Sequence, residues 1–166
     1  LAVVLAAGTP RLVYDARENP NMGTGYHVLV TPEQVRAAHV VRANSDPDDV
    51  VATNVHRTSP APVPDWSLSF WVSAFTERRV LIESWGYTVR AVNTAGGVSH
   101  FWDPDLLAAN DEAIYATTPD RLAWLRDRGV RWIIVDRRYG QESPELARLT
   151  TLRWSGTNTA VYELAR

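Results

Sequence analysis

The sequence predicts an α/β protein with a three-layer, mostly parallel, Rossmann-like sheet and a C-terminal antiparallel hairpin. Segments with strand character alternate with segments that start like helices, and this alternation is typical of parallel α/β folds. The three central strand segments are continuously apolar, as expected of strands buried on both faces. Two further strand segments on either side of Gly156 predict the hairpin.

Helix starts are marked by a capping residue followed by proline. Thr31-Pro32-Glu33-Gln34 forms a capping box with proline at the first helical position, and this helix is expected to end near Asn44. The Ser/Thr/Asp-Pro signature recurs at Asp103-Pro104, Thr118-Pro119 and Ser143-Pro144. Gly129 predicts the end of the helix that starts at Thr118. Another helix is expected from about Trp66 to Phe75, whereas residues 88–102 carry no helix signal.

The strand segments lie between these helix signals. The three expected in the parallel core are Val50–Val55, Arg79–Glu83 and Val130–Arg138. Those expected in the hairpin are Leu152–Trp154 and Ala160–Leu164. In open parallel sheets, ligands bind beyond the carboxyl ends of the strands. The residues that end the three core strands are therefore the first candidates for a site.

Length and composition limit the possible classes of protein. The chain has 166 residues, which suits one domain, and we place a single α/β domain at 31–166. Its net charge of −2 provides no basic field for nucleic acid, and the absence of Cys excludes disulfides and thiolate catalysis. Residues 1–30 are expected to be a linker or strand segment that follows a membrane part. Leu1–Gly8 is apolar but too short to span a bilayer.

Polar side chains stand at the carboxyl ends of the three core strands. Asn54 and His56 follow the first strand, Glu83 ends the second, and Asp136 lies near the end of the third. At a shared edge, a histidine can exchange protons near neutral pH, and two carboxylates can take acid and base roles. The alternative is structural. His56 is then a loop residue beside a proline-rich turn, and the carboxylates cap a turn or helix or pair with arginines.

Aromatic residues bracket the segment that lacks a helix signal. Trp85 and Tyr87 come before it or at its start, and Phe101 and Trp102 close it. Aromatic rings beside carboxylates can stack on the apolar faces of sugars, while the carboxylates accept hydrogen bonds from hydroxyls. Core packing is the alternative role of the tryptophans. The candidate binding residues are Asn54, His56, Glu83, Trp85, Tyr87, Trp102 and Asp136.

The sequence contains no recognised catalytic or metal-binding motif. The four histidines lack ligand spacing, and the acidic turn at 46–49 lacks the glycine and distal glutamate of an EF-hand. Gly23-Thr24-Gly25 lacks the rest of a dinucleotide fingerprint, and neither a P-loop nor a G-x-S-x-G elbow is present. We therefore expect no metal site and no cofactor, and we assign no catalytic residue.

Four segments together resemble a group of membrane proteins. They are Val41–Asn54, Phe70–Thr88, Phe101–Tyr115 and Leu125–Arg138. In these segments the chain is similar to the soluble C-terminal region of large actinobacterial multi-spanning membrane proteins. Those proteins resemble C-type glycosyltransferases, which use lipid-linked sugar donors. The resemblance extends over residues 31–164.

The resemblance implies an extracytoplasmic domain at the cell membrane, attached to a membrane-embedded part of its own chain. In C-type glycosyltransferases the catalytic carboxylates lie in the membrane part, and the soluble C-terminal domain helps to bind acceptor or to shape the complex. No catalytic role is therefore carried over to this chain. The stretch 83–88, ESWGYT, resembles the aromatic-rich acceptor motif of oligosaccharyltransferases but lacks its Trp-Trp-Asp core.

Three functions are compatible with these observations. The first is an accessory domain of a membrane glycosyltransferase that contacts a glycan or lipid-linked sugar along the strand-end edge. The second is a structural or protein-interaction domain without a ligand. The third is a stand-alone hydrolase that uses Glu83 and Asp136 as paired carboxylates. The first two differ in whether Trp85 and Tyr87 are exposed around a cleft or buried.

Overall fold

A mixed α/β fold is built around one five-stranded sheet. The computed structural model describes residues 30–57, 69–86, 88–93 and 101–165. The strands are β1 (Val50–Thr53), β2 (Arg79–Val80), β3 (Val130–Asp136), β4 (Thr151–Ser155) and β5 (Thr159–Glu163). The helices are α1 (Pro32–Asn44), α2 (Trp71–Thr76), α3 (Val89–Val92), α4 (Pro104–Tyr115), α5 (Pro119–Arg126) and α6 (Pro144–Leu149). The expected segment over residues 1–30 lies, except for residue 30, outside the described residues.

The sheet has a parallel core and an antiparallel end. Its strand order is β2-β1-β3-β5-β4. Strand β1 pairs in parallel with both β2 and β3, whereas β5 runs antiparallel to β3 and β4. The mostly parallel core and the C-terminal hairpin predicted from the sequence are both confirmed.

Capping side chains begin the four helices that carry the proline signature. Thr31 and Gln34 cap each other reciprocally, with Gln34 N donating to Thr31 Oγ1 at 3.2 Å and Thr31 N donating to Gln34 Oε1 at 2.7 Å. The side chains of Asp103, Thr118 and Ser143 accept from backbone N–H groups in the first turns of α4, α5 and α6. All four predicted helix starts are therefore confirmed.

Apolar residues of the central strands alternate between two clusters, because successive side chains in a strand point to opposite faces. One cluster joins Ala52, Ile133 and Val135 to buried residues of α4, α5 and α6. The other joins Val51 and Ile134 to buried residues of α1 and α2. Each cluster packs helices against the sheet, α4, α5 and α6 in one and α1 and α2 in the other. The central strands are therefore buried, as their continuous apolar character predicts.

Two local predictions are wrong, one about strand β2 and one about residues 88–102. Strand β2 contains only two residues and lies at the sheet edge, so it is not a core strand that runs to Glu83. The chain leaves the sheet because Ile82 turns into a separate apolar cluster with Trp85. Residues 89–92 form a single helical turn, α3, which is too short to leave a periodic pattern in the sequence.

None of the helices within the described ranges combines the length and the apolar character that crossing a bilayer requires.

Candidate functional site: a cavity where β1 and β3 end

A cavity of about 240 Å³ lies where β1 and β3 end, at the edge that the parallel-sheet rule predicts. Three of its lining residues follow β1, three come from α4, and two come from other loops. They are Asn54, His56 and Arg57, then Leu107, Asp111 and Tyr115, and finally Trp85 and Tyr139. Of the residues predicted from the sequence, Asn54, His56 and Trp85 are brought together here.

His56 joins the end of β1 to two other parts of the chain. Its Nδ1 lies 2.9 Å from the carbonyl oxygen of Glu83, and because a carbonyl oxygen can only accept, Nδ1 carries a proton. Its Nε2 lies 3.0 Å from Oδ1 of Asp111 on α4. A hydrogen bond between His56 and Asp111 therefore joins the end of β1 to α4 beside the cavity.

Asn54 and Asp136 hold the ends of the two central strands together. Asn54 Nδ2 donates to the backbone carbonyl of Asp136 at 3.0 Å, and Asn54 Oδ1 accepts from the backbone N–H of Asp136 at 2.9 Å. The Asp136 side chain is fully buried and accepts from Gln34 Nε2 at 2.8 Å and from Arg138 Nη2 at 2.6 Å. The Asp136 carboxylate thus serves as an ion-pair partner, which was the structural alternative for it.

Glu83 caps a helix that has no cap of its own. The residue before α2, Phe70, makes no side-chain capping bond. Glu83 Oε1 instead accepts from the backbone N–H of Val72 at 2.6 Å and of Ser73 at 3.1 Å. Burial raises the pKa of the Glu83 carboxyl, and the hydrogen bonds from Ser73 and Val72 offset only part of that effect. The two carboxylates considered as a catalytic pair therefore stabilise different elements.

The aromatic residues of the prediction divide between two cavities. Trp85 lines the first cavity but is only 3% exposed. Trp102 lines a second cavity of about 380 Å³ beside β2, together with Glu83. Phe101 lies between the two tryptophans, with ring centres 5.0 Å from Trp85 and 4.5 Å from Trp102. Tyr87 lies outside the described residues.

Two tyrosines complete the wall of the first cavity. Tyr115 donates to the carbonyl oxygen of Tyr139 at 3.4 Å, and Tyr139 donates to the carbonyl oxygen of Arg57 at 2.7 Å. Burial, with the charge of Asp136, raises the pKa of Tyr139 to about 12. Burial also raises the pKa of Tyr115. Both phenols therefore stay protonated near neutral pH and offer hydroxyl groups rather than phenolates.

The groups that line the cavity can make both hydrogen bonds and aromatic contacts. Across the described part of the chain, no three His, Asp or Glu side chains cluster so that they could hold a metal ion. The cavity combines a carboxylate, an imidazole, two phenols and an indole. Such a mixture of aromatic surface and a few polar groups is typical of small-ligand sites.

Comparison with known proteins gives a structural likeness. No family model matches the chain, and no curated protein matches it. Among solved structures, the chain is similar to the C-terminal globular domain of an oligosaccharyltransferase from Archaeoglobus fulgidus. The TM-score is 0.45 and the sequence identity 8%, over 82% of this chain and 99% of that chain.

Sequence reasoning missed the contribution of α4 to the cavity. Leu107, Asp111 and Tyr115 are each four residues apart, so they lie on one face of the helix. This spacing is visible in the sequence as a polar and aromatic stripe beside the apolar face that contains Ile114. Arg57 and Tyr139 carry no comparable signal, because only the fold brings those loops to the cavity.

Proposed function

We propose that this chain is an extracytoplasmic accessory domain of a membrane glycosyltransferase and that it contacts a glycan or acceptor in the cavity beyond β1 and β3. The observation that carries the proposal is the convergence of Asp111, Trp85 and the two tyrosines on one small cavity. Sugars present hydroxyl groups to carboxylates and phenols and apolar C–H faces to aromatic rings. The cavity offers partners for both kinds of surface.

The cavity's size restricts the ligand. Its volume of about 240 Å³ is below the range of roughly 300–1,000 Å³ found for pockets that enclose drug-sized ligands. One sugar unit fits that space better than an enclosed oligosaccharide. We propose that a single terminal or internal sugar enters the cavity and that the rest of the glycan stays outside.

The membrane context of the proposal rests on the sequence. Three of the four segments that resemble C-terminal regions of multi-spanning membrane proteins contribute residues to the cavity, including Asn54, Trp85 and Asp111. In this proposal the domain lies outside the cytoplasm and its partner is the membrane-embedded part of its own chain, which carries the catalytic groups. The helix-covered sheet supports the three-layer, Rossmann-like arrangement expected for such a domain.

A structural domain without a ligand is the second candidate. The low exposure of Trp85, 3%, favours it, because a packing tryptophan needs no ligand. The roles of Glu83 as a helix cap and of Asp136 as an ion-pair partner favour it too. This candidate predicts that the cavity binds no sugar at any concentration tested.

The two candidates can be separated by NMR on the 166-residue chain. The ¹⁵N-labelled protein is titrated with mono- and disaccharides and with polyprenyl-phosphate sugars while the indole N–H signals of its seven tryptophans are followed. We expect the Trp85 signal, assigned with Trp85→Phe, to move. Trp124 lies in a different groove with Asp120 and Arg121, and its signal is the internal reference. Unmoved indole signals across the panel would reject the binding function and leave the structural one.

A transfer assay on the intact parent protein tests the membrane part of the proposal. Asp111→Asn keeps the size of the side chain but removes its charge, and we expect it to lower glycosyl transfer to the acceptor. The matched control is Asp105→Asn on the same helix, because Asp105 is exposed and lies away from this cavity. Equal transfer by both variants and the unmodified protein would contradict a role of the cavity in transfer.

A further inference from the structure

We propose that the sugar in the cavity is an N-acetylated amino sugar, whose acetamido group is held by Asp111, Trp85 and Leu107. This inference rests on the function proposed above, because it concerns the same cavity. An acetamido group has three parts: an N–H donor, a carbonyl acceptor and a methyl group. Three side chains that line the cavity offer a matching group for each of these parts.

The N–H partner is the second oxygen of Asp111. Oδ1 already accepts from His56 Nε2 at 3.0 Å and from Asn110 Nδ2 at 2.9 Å. Oδ2 accepts no hydrogen bond from any described residue, although the Asp111 side chain is only 32% exposed. A half-buried carboxylate oxygen with spare capacity favours a ligand that donates. His56 acts here as a positioning residue, since its hydrogen bond to Oδ1 of Asp111 leaves Oδ2 as the oxygen that can accept from a ligand.

The carbonyl partner is the indole of Trp85. Its Nε1–H is buried and finds no acceptor in the described part of the chain. A buried donor without a partner costs free energy, so such groups are rare in native proteins unless water or a ligand satisfies them. Indole nitrogen can only donate, which excludes a second donor on the ligand at this point. An acceptor oxygen on the ligand meets the requirement.

The methyl partner is Leu107. It lies one helical turn before Asp111, about 6 Å along the α4 axis. It is half-buried and belongs to the apolar cluster that contains Trp85 and Ile82. The apolar contact is therefore on the same helix face as the Asp111 carboxylate and beside the apolar cluster that contains the indole donor. An acceptor, a donor and an apolar surface are the three partners that an acetamido group needs.

Two simpler ligands fit less well. A neutral hexose offers hydroxyl groups to Asp111 and Trp85 but leaves the Leu107 surface against a polar group. An amino sugar brings a cationic ammonium group to a cavity that also contains the guanidinium of Arg57, and Asp111 is already hydrogen-bonded to His56. The acetamido group is neutral and satisfies all three partners.

The test compares three sugars on the unmodified 166-residue chain. N-acetylglucosamine, glucose and glucosamine are titrated in parallel, and the Trp85 indole signal reports occupancy and dissociation constants. We expect N-acetylglucosamine to bind at least about fourfold more tightly than glucose, because only its methyl group makes the apolar contact with Leu107, and more tightly than glucosamine as well. We also expect the Trp85 N–H signal to move downfield as it acquires an acceptor.

Two variants locate the effect, and one control checks it. Leu107→Ala is expected to weaken N-acetylglucosamine binding about fourfold while leaving glucose binding unchanged, because only the methyl contact is lost. Asp111→Asn is expected to weaken it about tenfold, since the amide presents a donor to the ligand's N–H. Asp105→Asn, on the same helix, is expected to bind like the unmodified chain.

The outcomes separate this inference from the function on which it rests. Equal binding of glucose and N-acetylglucosamine, with movement of the Trp85 signal, would overturn the acetamido assignment and leave the glycan-binding function standing. Tightest binding of glucosamine would overturn it in the same way and would identify a cationic ligand. If no sugar in this set or in the wider glycan panel moves the Trp85 signal, both the acetamido assignment and the glycan-binding function are rejected.

Discussion

The side chain of Asn54 hydrogen-bonds both backbone groups of Asp136, at 3.0 Å to the carbonyl and 2.9 Å to the N–H. Asn54 follows β1, and Asp136 is the last residue of β3. One amide side chain therefore continues the pairing of the two strands beyond the point where β1 ends. Both residues are buried, so water cannot replace these bonds. These two hydrogen bonds fix the position of the chain where β1 ends, and from there it continues through His56 and Arg57 to the cavity.

Replacing Asn54 by alanine is expected to destabilise the fold strongly. The change leaves the buried N–H of Asp136 without its partner, which costs about 1–3 kcal/mol, and removes one of the two hydrogen bonds to the Asp136 carbonyl oxygen, which also accepts from the N–H of Tyr139. We expect the free energy of unfolding in urea to fall by about 2–4 kcal/mol. The matched control is Asn44→Ala, since Asn44 is exposed at the end of α1 and should change stability by about 0.5 kcal/mol or less. Similar losses in the two variants would contradict the bridging role.

Glu83 gives a prediction that depends on pH. Burial raises the pKa of its carboxyl, so the folded state favours the protonated form more than the unfolded state does. The associated stability is fully present below the unfolded pKa, near 4.3, and is lost as pH rises through the folded pKa. Glu83→Gln cannot ionise and can still accept from Val72 and Ser73. We expect its unfolding free energy, relative to the unmodified chain, to increase between pH 4 and pH 7.

Glu83→Ala is the complementary variant, because it removes the cap of α2 as well as the charge. Loss of a helix cap typically costs about 0.5–2 kcal/mol, and we expect Glu83→Ala to lose about that amount at pH 4, where the carboxyl charge plays little part. Urea unfolding of both variants at several pH values measures the two effects separately. A glutamine variant whose relative stability is the same at pH 4 and pH 7 would show that Glu83 ionises normally.

Local signals account for what the sequence predicted well. The four proline-marked caps require only residues within one helical turn, and each begins a helix in the structure. The continuously apolar run in β3 likewise fixes a buried strand without knowledge of its neighbours. The positions of Asn54 and His56 beyond β1 follow from the general placement of ligand sites in parallel sheets.

Features that depend on distant partners were not predictable. Strand β2 ends at Val80 because Ile82 packs with Trp85 and Phe101, and that cluster includes residues about 20 positions later in the chain. Glu83 caps α2 only because the fold brings the loop back to that helix. Asp111 was overlooked because an acidic residue on an amphipathic helix is ordinarily solvent-facing, and only its contact with His56 places it at the cavity.

Gly156 in the β4–β5 turn allows α1 to bind the hairpin. Glu33 Oε1 accepts from the backbone N–H groups of Asn158 and Thr159, both at 2.7 Å. A Cβ atom on Gly156 would collide with that oxygen and with the ring of Trp154. Gly156→Ala must therefore displace the Glu33 side chain and break both bonds. We expect a loss of about 2–3 kcal/mol in the free energy of unfolding.

A double-mutant cycle identifies Glu33 as the cause. If the cost of Gly156→Ala acts through the displaced carboxylate, then Gly156→Ala should cost much less when Glu33 is already alanine. The four unfolding free energies are measured in urea under one buffer condition. Additive losses from the two substitutions would mean that the turn backbone or Trp154, rather than Glu33, resists the added methyl group.

The ion pair between Arg137 and Glu142 provides the last prediction, in which acid removes a stabilising charge. Arg137 Nη2 lies 2.7 Å from Glu142 Oε1, and Tyr162 donates to the same oxygen at 2.7 Å. Burial by itself raises the pKa of Glu142, but the hydrogen bonds from Arg137 and Tyr162 outweigh it and hold the pKa below its usual value. The corresponding stability is present above the unfolded pKa, near 4.3, and is lost as pH falls through the folded pKa.

We therefore expect Glu142→Gln to be about 2–3 kcal/mol less stable than the unmodified chain at pH 7, and this difference to shrink as the pH falls below about 4. Arg137 keeps its contact with the carbonyl oxygen of Gly156, which limits the loss below that of a fully isolated buried charge. Glu145→Gln is the matched control, because the pair of Glu145 with Arg148 is exposed and is worth at most about 1 kcal/mol. Urea unfolding at pH 7, 5, 4 and 3 measures both differences. If the loss of unfolding free energy in Glu142→Gln is the same at pH 3 as at pH 7, the carboxylate charge contributes nothing. The loss would then come from the changed shape and hydrogen bonding of the side chain.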